Sequence, residues 1–137
     1  MAPIGWVKTD SILAGKREVV MWPDTAGSLS IANNIRVSIQ KGLSAENYMN
    51  RVMAQLKEDY YYQNIATGKV KINNQTFCWE RHYLQLQKTD YVVEQKCYFV
   101  GGLGQIYMIV CTAGVNEMST LQPYIDTVLT TFKIADQ

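Results

Sequence analysis

Three cysteines and one histidine are the residues of this 137-residue chain best suited to nucleophilic or metal chemistry: Cys78, Cys97, Cys111 and His82. No CxxC pair occurs and no second histidine is available at ligand spacing, so a metal site is not expected. Cys78 and His82 could form a nucleophile and base only if their side chains met. The stretch around them, QTFCWERHYLQLQ (75 to 87), reads as a β-strand. Residues four apart on a strand share a face but lie about 13 Å apart along it, so no such pair is expected. Ser44 precedes a helical pattern and is better placed as a cap than as a nucleophile. Glu46, Glu58 and Asp59 lie on or just beyond that helix, where acidic residues form a solvated face. Without convergent titratable groups the chain is expected not to be an enzyme, and no catalytic, cofactor-binding or metal-binding residue is assigned.

The glycines of QKCYFVGGLGQIYMIVC (95 to 111) invite comparison with a phosphate-binding loop. GGLG lacks the GxGxxG and GxxxxGK[ST] spacings and leads into a strand-like run, not into a helix whose amides could hold phosphate. A hairpin turn explains it, since such tips need positive φ. Symmetry about Gly104 would set Cys97 opposite Cys111 at a separation that a disulfide spans; a shift of one residue would make them unbridgeable. The alternative is two buried thiols packed as small apolar groups.

The elements that position these residues follow from hydrophobic periodicity. REVVMWPD (17 to 24) is a short strand, and SIANNIRVSIQ (30 to 40) alternates, with Ile31, Asn33, Ile35, Val37 and Ile39 on one face. LSAENYMNRVMAQLKEDY switches to the helical period, with Tyr48, Val52 and Leu56 four apart, which predicts a helix over 45 to 58. Strands follow at 68 to 72, 75 to 87, 91 to 100 and 105 to 113, the first two joined at Asn73 and Asn74, residues that tolerate positive φ. STLQPYIDTVLTTFKI predicts a closing helix with Pro123 in its first turn. The expectation is one α+β domain spanning 1 to 137: an antiparallel sheet of about six strands, a meander in the C-terminal half, flanked by helices.

Composition narrows the function classes. The formal net charge is +1 and 18% of residues are charged, with basic residues spread along the sequence. No nucleic-acid partner is therefore expected. No apolar run approaches the roughly 20 residues of a transmembrane helix. Tyr60, Tyr61 and Tyr62 are consecutive and cannot all point inward. With Trp22 and Trp79 they form the candidate partner-binding surface, the alternative being that two of the tyrosines close the core at the helix end.

Four stretches carry a family resemblance: PIGW (3 to 6), ANNIRVSIQKGLSAENYMNRVMAQL (32 to 56), EQKCYFVGGLGQIYMIVCTA (94 to 113) and YIDTVLTTFKI (124 to 134). They resemble the superfamily that includes the photosystem II extrinsic protein PsbP, the nuclear-import factor Mog, and bacterial DcrB-related proteins and PsbP-like envelope lipoproteins. In that family a strand usually precedes P-x-G-W, where this chain has only Met1 and Ala2. The resemblance implies a non-enzymatic accessory or partner-binding protein of the bacterial cell envelope or periplasm, without cofactor. It is compatible with an export signal or lipid anchor encoded upstream of Met1. Its partner would be another protein, with a homodimer as a further candidate. The alternative is a cytoplasmic DcrB-related adaptor chaperone that cradles hydrophobic helices of a secreted effector.

Overall fold

Seven antiparallel strands form one sheet in the order β1-β2-β3-β7-β6-β5-β4. In chain order they are β1 (Trp6–Leu13), β2 (Lys16–Pro23), β3 (Asn34–Lys41), β4 (Tyr61–Ile72), β5 (Gln75–Gln85), β6 (Val92–Gly102) and β7 (Gln105–Gly114). Helix α1 (Ala45–Asp59) lies between β3 and β4, and α2 (Met118–Thr131) follows β7. The structure is a computed structural model that describes residues 33–85 and 91–134 in full and β1 and β2 by their backbone. Two strands, a helix, four strands and a helix are present as expected, with β1 as an additional strand hairpinned onto β2.

The topology places α1. From β3, in the middle of the sheet, the chain crosses one face as α1 and drops to the far edge as β4. The meander β4 to β7 then walks back until β7 pairs with β3. Ser44 starts the helix in extended backbone, its Oγ accepting from the Asn47 amide at 3.1 Å, which satisfies one orphan N–H. Helix α1 drives Met49 and Met53 against Cys78, Cys97 and Phe99. The opposite sheet face meets α2, whose Leu121, Ile125, Val128 and Leu129 pack on Ile35, Phe77, Tyr98, Ile109 and Cys111. Period-two alternation along β5, β6 and β7 thus feeds two cores, one under each helix.

Register settles the cysteines. The β6–β7 hairpin turns on Leu103 and Gly104, with φ of 54° and 74°, and pairs Gly102 with Gln105. A two-residue turn moves the symmetry point half a residue from Gly104. Cys97 therefore faces Val110 and Cys111 faces Lys96. Cys97 belongs to the core under α1 and Cys111 to the core under α2. The disulfide reading is corrected: the thiols lie on opposite faces of the sheet, and all three cysteines are free and buried.

Two element boundaries also differ. Strand β4 begins at Tyr61, seven residues before the predicted start, because its first eight residues, YYQNIATG, lie on an edge strand with none fully buried and carry little alternation. Pro123 is the sixth residue of α2, beyond the first turn. Proline has no N–H to donate to the Ser119 carbonyl, and both residues are exposed. The expected Asn73–Asn74 turn is present, with φ of 52° and 64°.

Candidate functional site

Between α1 and the sheet, beside the packed methionines, lies a cleft of about 410 Å³. Val52 and Leu56 wall it from the helix, and Val93, Cys97, Met108 and Val110 form most of its floor. Asn34, Arg36, Gln95 and Thr112 supply its polar lining. The strands impose this arrangement: Cys97 pairs with Val110, Gln95 with Thr112, and Thr112 with Asn34, so the side chains of one parity on β6, β7 and β3 converge.

The same parity continues sideways into a buried polar ladder. Gln95 Nε2 donates to Thr112 Oγ1 at 3.1 Å, which turns its carbonyl Oε1 toward His82 Nε2, 2.8 Å away. Nε2 is thus the protonated ring nitrogen and Nδ1 the acceptor. Nδ1 is buried with no hydrogen-bond partner among the described residues, and the nearest Glu80 oxygen stands 3.7 Å from it. Asn64 Nδ2 donates to Glu80 Oε1 at 3.0 Å. A β-bulge between Asn64 and Ala66 shifts the β4 register at this point, re-aiming Asn64 at the carboxyl. Tyr62 closes the ladder from outside, its ring 4.9 Å from that of His82, with the Lys57 ammonium 5.5 Å above the tyrosine ring.

Burial governs the charge states. Glu80 is 2% exposed and His82 fully buried. Desolvation lifts the Glu80 carboxyl to about 7 against the opposing pull of Lys57. It lowers His82 below its usual range, the Gln95 hydrogen bond acting the other way. Both groups are held toward their neutral forms, with the Tyr62 ring packed on that of His82. Burial likewise pushes the Cys78, Cys97 and Cys111 thiols upward, the reverse of what a reactive thiolate needs. Among the described residues no group of three or more His, Cys, Asp or Glu side chains could hold a metal ion.

Among the described residues the aromatic candidates do not form one surface. Tyr61 is 79% exposed on edge strand β4, while Tyr62 is folded onto His82 and Tyr60 caps the end of α1, its amide donating to the Leu56 carbonyl. Trp79 lies on the α2 face of the sheet, opposite to Tyr62, half-buried against the α2 core, under Lys96 Nζ at 5.2 Å and against the open face of Gly68. Only the backbone of Trp22 is described. The cleft and ladder residues Arg36, Gln95 and Thr112 were missed by sequence reasoning. Their signal is polar residues of one parity on neighbouring strands, which shows only once the register is known.

The fold is PsbP-like. Cyanobacterial PsbP (CyanoP) from Synechocystis sp. PCC 6803 superposes with a TM-score of 0.68 at 17% identity, over 97% of this chain and 84% of that one. PA94, a protein of unknown function from Pseudomonas aeruginosa named provisionally as a regulator, superposes with a TM-score of 0.61 at 11% identity, over 95% and 99%. No protein-family model matches the chain, and no curated protein does.

Proposed function

We propose that the chain is a non-enzymatic accessory protein of the bacterial cell envelope that binds another protein, the cleft beneath α1 receiving an apolar segment of that partner. The observation that carries this is the cleft itself: mostly apolar walls and floor beside titratable groups shut away from it. Its volume would also suit a small ligand. Deep convergent charges, the mark of a small-molecule site, are lacking among its lining residues: Arg36 is exposed, and Gln95 and Thr112 are bonded to each other. The two structural neighbours, one a PsbP and one named as a regulator, support an accessory role.

The test is a photo-crosslinking amino acid at Leu56 in living cells. The expected result is one discrete protein adduct that disappears when Val52→Glu places a charge in the cleft. An adduct pattern indifferent to Val52→Glu would refute the cleft as the docking site, and substrate turnover abolished by Glu80→Gln would refute the non-enzymatic reading. The same apolar lining favours, as a second reading, a cytoplasmic adaptor seating a hydrophobic helix of a secreted effector. Fractionation of the native protein separates the two.

A further inference from the structure

The end of the sheet where α1 begins carries two leucines that the fold does not explain. Leu43, in the β3–α1 loop, is 96% exposed, and Leu103, at the tip of the β6–β7 hairpin, is 63% exposed. Leu103 also occupies the first position of a two-residue turn at φ of 54°. Asn, Asp or Gly is favoured there and a bulky side chain is strained. Neither burial nor turn chemistry accounts for a leucine at that point. The two loops form one platform, the Gly42 amide donating to the Gly104 carbonyl at 3.1 Å.

Basic residues dispersed in the sequence are gathered at the same end. Lys41 is the last residue of β3, and Lys71 lies one residue from the end of β4. Lys133 follows the end of α2, which is held there by Asn73 and Gln75 bonding the Thr130 and Phe132 carbonyls. All three are exposed. Among the described residues the one acidic side chain at this end is Glu46, whose carboxylate is 3.3 Å from Lys69. Glu58, Asp59 and Glu117 lie toward the opposite end, where α1 stops and α2 starts.

We propose that this end docks on a membrane surface containing anionic lipids, with Leu43 and Leu103 entering the headgroup–acyl boundary and the lysines meeting the phosphates. Projecting apolar tips ringed by cations fit an interface that accepts insertion. A protein partner would need a pocket for each tip. At an anionic surface each nearby lysine favours binding about fivefold, and each leucine that leaves water contributes about tenfold or more. The inference concerns a different surface from the cleft and stands or falls independently of it.

The experiment is binding of the full chain to vesicles of phosphatidylcholine, alone or mixed with phosphatidylglycerol. Binding is expected on the mixed vesicles, weakening in high salt as screening grows. The double substitution Leu43→Ser with Leu103→Asn is expected to weaken it at least tenfold while leaving Tm unchanged or raised, because Asn suits the turn. Lys41→Gln with Lys71→Gln is expected to weaken it on mixed vesicles only. Absence of binding to mixed vesicles, or binding indifferent to the leucine substitutions, overturns the proposal. So does a protein adduct captured by a photo-crosslinker at Leu43 in the absence of vesicle binding, which would assign this end to protein docking.

Discussion

Glu80→Gln is expected to convert a pH-dependent fold into a less pH-dependent one. The wild-type carboxyl is 2% exposed and stands at about 7 against an ordinary 4.5. Because its folded-state pKa is raised, the unfolded chain releases this proton first. The Glu80 contribution to stability is therefore greatest below about 4.5, falls as pH rises, and levels off above about 7. At about 1.4 kcal/mol per pH unit, that displacement sets a ceiling of about 3 kcal/mol on the loss. His82 acts with the opposite sign: kept neutral by burial, it costs stability as pH falls through and below its unfolded value of 6.5. The informative quantity is thus the difference between variant and wild type above about pH 6.5, where His82 is largely neutral in both the folded and the unfolded chain. Glutamine retains the oxygen that accepts from Asn64, which is also the atom nearest His82 Nδ1, and removes the ionisable proton. The variant should gain on the wild type from about pH 5 upward and lead by up to about 3 kcal/mol above pH 7 in urea denaturation. A difference that does not change with pH would refute the reasoning, since Glu80 would then ionise as it does in the unfolded chain.

Three further outcomes follow from the packing. Non-reducing mass analysis should show no two-proton loss mapping to Cys97 and Cys111, and all three thiols should react slowly with a disulfide reagent until the chain is unfolded. Ser44→Ala removes the α1 cap and should cost about 1 kcal/mol by denaturant titration, whereas Ser44→Asp should be nearly neutral. Gly68→Ala places a Cβ 2.8 Å from Trp79 Cζ2, so it should displace the indole from beneath Lys96, seen as a shift in tryptophan emission together with a lower Tm.

The two cores were legible because their signals are local. Tyr48, Val52 and Leu56 at helical spacing and the alternation of β6 and β7 each fix which side of an element is buried, and the Asn73–Asn74 pair fixes a turn. What failed depended on register or on edges. One residue of hairpin phase decides whether Cys97 and Cys111 share a face, and GGLG admits turns centred half a residue apart. The first half of β4 borders the sheet with one neighbour only, so nothing in YYQNIATG alternates strongly enough to announce a strand. The ladder from Glu80 to Thr112 spans three strands, and no single stretch reveals that His82 and Gln95 are cross-strand partners.

The same distinction between sequence order and spatial order applies to charge. A net charge of +1 with evenly scattered basic residues gave no reason to expect an anionic surface as partner, yet antiparallel topology returns alternate element ends to the same place. Lys41, Lys71 and Lys133 each stand at the C-terminal end of an element, and α1 points its acidic end, Glu58 and Asp59, the other way. Lys133 follows a helix C-terminus, where a cation is favoured by the dipole. Lys41 and Lys71 have no such local reason, being strand residues. Their coincidence with two exposed leucines, one of them in strained backbone, makes that end more than a solvated surface. If Leu103 were there only for the turn, Leu103→Asn would change stability alone. A loss of vesicle binding accompanied by a gain in Tm would separate the requirement of the membrane from that of the fold.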